Sequence, residues 1–151
     1  MKITRQKIRR LVRDIVLHYP TKSVDTIAGK HKLTVKYLGA GINRKGYLIV
    51  GTDVVLKVSE NSKQSAKELK NIARFRKIKK LRKYLPKVYR YATCVSPNDD
   101  TSVVAMHYYP EGASSDECCK VEMMFSSLDD VHWGNVRKSR GGAIKLIDLG
   151  I

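Results

Sequence analysis

Between Leu33 and Val58 the apolar residues adopt a two-residue period, and this change of period constrains the fold more than any other feature of the 151-residue chain. Leu33, Val35 and Tyr37 alternate with polar residues, and glycines follow at 39, 41 and 46. Tyr47 to Val50 resumes the apolar run, and a Gly51-Thr52-Asp53 turn leads into Val54 to Val58. Short runs separated by turn residues predict three strands of an antiparallel meander. On either side the period is helical. Ile3 to Tyr19 carries a stripe of Ile8, Leu11, Val12, Ile15 and Val16, with Arg5, Arg9, Arg10 and Arg13 elsewhere on its surface, and Pro20 ends it. Lys63 to Tyr84 places Leu69, Ile72, Ala73, Phe75, Ile78 and Leu81 among lysines and arginines and stops before Pro86.

The remainder completes an α+β pattern. Ser23 to His31 predicts a helical turn or two with Ser23 as N-cap and Gly29 near the end, so residues 3–33 also admit a helix-turn-helix reading. Lys87 to Cys94 and Ser102 to Tyr108 read as two more strands, joined by a Ser96-Pro97-Asn98-Asp99-Asp100 turn. Asp116 to Leu128 reads as a short helix, and Gly142 to Leu149 as a final strand behind a Ser139-Arg140-Gly141-Gly142 turn. Helix, three strands, helix, two strands, helix, loop, strand is an α+β order, expected here as a single domain over residues 1–151.

Charge bears on partners. The chain has 30 Lys and Arg against 14 Asp and Glu, and residues 1–92 hold 25 of the basic and 5 of the acidic side chains. Such a half suits polyanions, whether nucleic acid, nucleotide phosphates or an acidic protein, although a lysine-rich solvated surface would give the same count. Cys94, Cys118 and Cys119 are odd in number and two are adjacent, which suits neither a disulfide framework nor a zinc knuckle. No apolar run reaches the ~18 residues of a membrane span, and the first residues lack the solid apolar core of a signal peptide. A cytoplasmic protein without a membrane partner is expected.

Three segments carry potential chemistry. Leu38-Gly39-Ala40-Gly41-Ile42-Asn43-Arg44-Lys45-Gly46-Tyr47 places small residues where backbone could approach phosphate oxygens, although a glycine-rich hairpin can be only a turn. Val54-Val55-Leu56-Lys57-Val58 holds one lysine inside an apolar run, a position that an exposed edge strand would also explain. Asp130-Val131-His132-Trp133-Gly134-Asn135 precedes Asp148 by thirteen residues counted from Asn135, and two carboxylates with an amide are hard oxygen ligands of the kind Mg²⁺ takes.

In order and spacing these segments resemble the protein-kinase-like superfamily, which includes aminoglycoside and choline phosphotransferases. The resemblance runs from about Leu33 to Gly150. It implies a kinase-like fold, with an N-lobe of five antiparallel strands and one long helix over residues 33–108. A much reduced C-lobe follows over 109–151, and residues 1–32 form an extra basic helical extension. It implies ATP and Mg²⁺ as cofactors. Gly39 and Gly41 match the loop that covers the phosphates, Lys57 the strand lysine, and Glu68 its helix partner. Asp130 matches the catalytic aspartate, while Asn135 and Asp148, the latter in Asp148-Leu149-Gly150, match the metal ligands. Met106, His107 and Tyr108 open the segment that runs to Gly112, where the family has its adenine-binding hinge. The D-x-H-x-G-N form of the loop is similar to that of small-molecule phosphotransferases and of early kinases from T7-like bacteriophages.

Some positions depart from the pattern. Arg44 replaces the third loop glycine, and Leu128-Asp129 replaces the usual His-Arg or His-Gly before the aspartate. Residues after Ile151 that would form an activation segment and later helices are not expected, so the acceptor platform is reduced. The resemblance implies a small phage-type serine/threonine protein kinase acting on host proteins in the host cytoplasm. An alternative is a pseudokinase that binds a host protein or nucleic acid through its basic face, and a third reading makes Lys57 and Glu68 a structural ion pair with His132 and Trp133 packed in a loop. The oligomeric state, including a dimer that supplies the missing surface, stays open. His18, His31 and His107 show no ligand spacing, and Cys118-Cys119 reads as core on a short helix.

Overall fold

Thr4 starts the first helix: its hydroxyl accepts the Lys7 N–H at 3.1 Å, satisfying an amide that has no partner within the helix. In the computed structural model, which describes residues 2–41, 44–93, 100–125 and 135–147, this helix is α1, Arg5–His18. Its buried stripe is the one read from the sequence, Ile8, Leu11, Val12, Ile15 and Val16. Ser23 caps α2, Val24–Lys30, by accepting the Thr26 N–H at 3.2 Å. Lys32 closes α2 in the left-handed region at φ 57°. There its N–H bonds the Gly29 carbonyl and that of Leu33 bonds the Ala28 carbonyl, a Schellman ending.

Five strands follow: β1 Val35–Ala40, β2 Arg44–Ile49, β3 Val54–Ser59, β4 Val88–Thr93 and β5 Ser102–His107. They form one antiparallel sheet in the order β1-β2-β3-β5-β4. The period-two alternation sends Tyr47, Ile49, Val54, Leu56, Val58, Val103 and Ala105 to one face, where they share a core with the stripes of α1 and α2. Helix α3, Ser62–Arg76, begins where the Asn61 side chain accepts the Lys63 N–H at 3.0 Å and Asp100 accepts the Ser62 N–H at 3.2 Å.

The chain divides into two compact units: Met1–Ser65 with Lys87–Tyr108, and Ala66–Pro86 with Tyr109–Ile151. The N-terminal helices therefore belong to the same unit as the sheet. In the second unit, a 3₁₀ turn at Arg82–Tyr84, β6 Glu111–Gly112, α4 Ser115–Met124, β7 Val136–Lys138 and β8 Ile144–Leu146 accompany most of α3. Phe125 is fully buried there, edge-on to Phe75 at 5.1 Å and to Tyr84 at 6.5 Å between ring centres. A reciprocal capping box of Ser114 and Glu117 starts α4. The three-stranded sheet β6-β7-β8 is pinned by Arg137, whose guanidinium donates to the carbonyls of Tyr109 and Pro110.

Three expectations change. The helix expected over Lys63–Tyr84 ends at Arg76, and the chain continues through three-residue turns. Arg74, Arg76, Lys77, Lys79 and Lys80 would crowd one helix with like charge, and the turns bury Leu81, Tyr84 and Leu85 while leaving Ile78 exposed. The loop expected before Gly142 contains β7, and the last strand is shorter than Gly142–Leu149, its described part being Ile144–Leu146. Strands β1 and β2 run deeper into the glycine-rich segment than its composition implied, because Gly39 and Gly46 pair within the ladder. Among the described residues no helix is long and apolar enough to cross a membrane.

Candidate functional site

Cross-strand partners project to the same face of a sheet. The register pairs Gly39 with Gly46, Gly46 with Lys57, Lys57 with Val104, and Val104 with Tyr91. Since Leu56 and Val58 point into the helix-packed core, this row lies on the opposite face. At its β1–β2 end two consecutive strands carry no side chain, and the half-buried Lys57 stands next in line. Arg44, paired with Ser59 and therefore on the same face as Gly46 and Lys57, adds a second cation that is only 8% exposed.

Packing does not require the bare backbone at Gly46. A Cβ there would sit 3.8 Å from the Gly39 carbonyl oxygen and 3.9 Å from Leu38 Cβ, ordinary contact distances. At Gly39 a Cβ would meet nothing within 4 Å, although φ of 141° favours glycine on backbone grounds, following the bulge between Tyr37 and Gly39. Backbone open to solvent beside a lysine and an arginine fits a phosphate chain, whose oxygens need close approach and positive charge. Gly41 contributes differently: its N–H closes the hairpin on the Arg44 carbonyl at 2.8 Å.

The other sequence-predicted positions are distributed as follows. Glu68 lies on α3, fully buried, in the second unit, whereas Lys57 belongs to the first. Met106 is buried at the end of β5, paired with Val55 and Val88. The His107 N–H donates to the Lys87 carbonyl and the Tyr108 N–H to that of Asp53, both at 2.8 Å, so the two amides are engaged in the ladder. The His107 ring meets the Tyr89 hydroxyl through Nδ1 at 2.9 Å, and burial pushes the Tyr89 hydroxyl pKa up. Asn135 is buried, and its carbonyl accepts the Ile147 N–H at 2.7 Å, which ties the start of β7 to the residue before Asp148 in sequence. Asp130 and Asp148 lie outside the described residues, as do His132, Trp133 and Cys94. Among the described residues no three His, Cys, Asp or Glu side chains gather as metal ligands.

A cavity of about 340 Å³ opens at the hairpin, lined by Tyr19, Gly41, Arg44, Lys45, Val58 and Glu60 among others. The Tyr19 hydroxyl beside Lys45 holds its ammonium above the usual pKa. Lys45 and Val58 share the helix-packed face whereas Arg44 belongs to the face of Gly46 and Lys57, so the cavity takes residues from both faces at the end of the hairpin.

No family model matches the chain, and no curated protein matches it.

Two residues of the row, Gly46 and Arg44, are absent from the sequence-derived set. Counting the alternation outward from Lys57 through a two-strand register would have found Gly46, but the register is fixed by the bulge after Tyr37 and by the Gly51-Thr52-Asp53 turn. Arg44 reads as a defect in the glycine pattern, whereas its place in the ladder gives it the face that Lys57 occupies.

Proposed function

We propose that this chain is an ATP- and Mg²⁺-dependent phosphotransferase of protein-kinase-like type that acts on a protein acceptor. The observation that carries this is the row Gly39–Gly46–Lys57: bare backbone in register with a lysine, with Arg44 alongside, on the face not used by α1 and α2. The α+β order with a five-stranded antiparallel sheet also agrees with that family's N-lobe. When bound, ATP supplies the phosphoryl group and Mg²⁺ neutralises its charge. Lys57 and Arg44 draw the phosphates to the sheet, and Gly39 and Gly46 leave room for them. The family pattern assigns Asp130 to orient the acceptor hydroxyl, Asn135 and Asp148 to hold the metal, and Glu68 to hold the lysine. Catalysis of this kind is positioning and electrostatic stabilisation rather than covalent chemistry by the protein.

Transfer of labelled γ-phosphate to the protein itself and to a bacterial lysate tests this. Wild type should transfer label, Lys57→Met and Asp148→Asn should lose both transfer and Mg·ATP affinity, and Asp130→Ala should lose transfer while it still binds nucleotide. Folded wild type that binds no Mg·ATP would overturn the proposal, as would undiminished transfer by the Asp130 and Asp148 variants.

A further inference from the structure

The first turn of α1 and the last turn of α2 enclose a cleft of about 320 Å³, lined by Thr4, Gln6, Lys7, Arg10, Lys30, His31 and Lys32. Four of these carry full positive charge and none is acidic. The first turn of α1 contains no acidic residue either, so the positive end of that helix dipole reinforces the lysines rather than being offset. Asp14 is held by the lining residue His31, Nε2 to Oδ2 at 2.5 Å. Lys22 adds to the crowding, and contact with Lys30 holds its pKa below the usual lysine value. Such a cluster opposes folding by self-repulsion.

Lys32 makes the same point through the backbone. It occupies the left-handed position that ends α2, where glycine or asparagine is the usual residue, and it is exposed. A lysine stands where the backbone itself would favour a glycine. Along the exposed side of α1, Arg5, Arg9 and Arg13 recur every four residues, so the cations repeat at about 6 Å along the helix.

From these placements we infer that the α1–α2 cleft and the adjoining arginine stripe bind the phosphodiester backbone of nucleic acid, without reading sequence. The partner follows from the lining. An acidic protein segment needs apolar anchors between its charges, and this cleft offers none. The second unit does carry such a surface, where Lys79, Lys80, Lys83 and Lys120 surround Tyr84 and Met124. Cations that repeat along a helix, beside a cleft lined by polar and charged side chains, match a repeating polyanion, whose binding is driven by counterion release. This inference stands apart from the phosphotransferase proposal, since it uses none of the same residues.

Fluorescence anisotropy with a short mixed-sequence DNA duplex, measured over a range of salt, tests it on the full chain. Wild type should bind, with log affinity falling linearly against log salt. The triple variant Arg10→Ala, Lys30→Ala, Lys32→Ala should bind at least about tenfold more weakly and lose about three from the salt slope, near one for each phosphate contact removed. Lys32→Gly relieves the left-handed lysine, so it should fold at least as stably as wild type and still lower the slope by about one. Lys79→Ala with Lys80→Ala, which removes equal kinds of charge from the second unit, should leave the slope close to wild type. The inference is overturned if wild type does not bind the duplex, if Lys32→Gly and the triple variant bind as wild type, if the Lys79 and Lys80 variant accounts for the loss, or if polyglutamate of matched charge binds the cleft as tightly as the duplex.

Discussion

The two faces of the five-stranded sheet are built from the same strands and treat the same physical problem differently. One face gives every inward position of β3 to an apolar residue, Val54, Leu56 and Val58, and covers them with the stripes of α1 and α2. The other keeps apolar residues toward the β5 side, at Val104 and Met106, and turns to Gly39, Gly46, Lys57 and Arg44 toward the β1–β2 hairpin. The first face is organised by burial of apolar area. The second leaves backbone exposed where no packing demand calls for it, and places charge beside it. A site is recognised here by residues that packing alone does not explain.

That contrast can be broken from either side. Leu56→Ala, in the fully buried core of the packed face, should lower the unfolding free energy by about 2–5 kcal/mol in a denaturant titration. A smaller loss would mean that α1 and α2 collapse onto the cavity. Next in size, Thr4→Ala removes the cap of α1 and should cost about 1 kcal/mol, read by the same titration. Gly46→Val, on the open face, should change stability by less than about 1 kcal/mol, because a branched residue suits a strand and a Cβ meets no close neighbour. The same variant should abolish Mg·ATP binding by calorimetry, and retention of binding would remove the row from the site.

The smallest effect concerns pH. Hydrogen bonds from Ser62, side chain first and then backbone, hold the Asp100 carboxyl below its usual pKa. Its contribution to stability is therefore present above the unfolded carboxyl value of about 3.9 and is lost as pH falls through the lower folded value. Asp100→Asn should lower stability slightly at neutral pH and flatten that part of the acid unfolding curve, so that variant and wild type converge at low pH. A curve identical to wild type would show that Asp100 does not hold the start of α3.

Much of the fold is legible because it rests on local rules. Ser23 reads as a cap and is one, the stripe from Ile8 to Val16 reads as a buried helix face and is one, and the alternation across Leu33–Val58 yields the antiparallel meander. The end of α3 is not legible, since helical spacing continues through Ile78 and Leu81 while the chain turns at Arg76. Burial of Leu81, Tyr84 and Leu85 around the aromatic cluster of the second unit outweighs the local pattern. Strand β7 is not legible for a related reason: three residues are too few to show a period, and their ladder to β8 and β6 gives them their form.

The candidate site divides in the same way. Lys57 stands out in sequence because a single charge inside an apolar strand run needs an explanation, and the glycines at 39 and 41 stand out by composition. That Gly46 rather than Gly41 shares a row with Lys57, and that Arg44 joins the same face, follows from a bulge and a pairing register. These arise only when two strands meet. The sequence by itself determined the periods, the caps and the sign of the charge, because each depends on neighbours a few residues away. Tertiary structure alone decided which residues face together, because a shift of one residue in register would have sent Lys57 and Gly46 to opposite sides of the sheet.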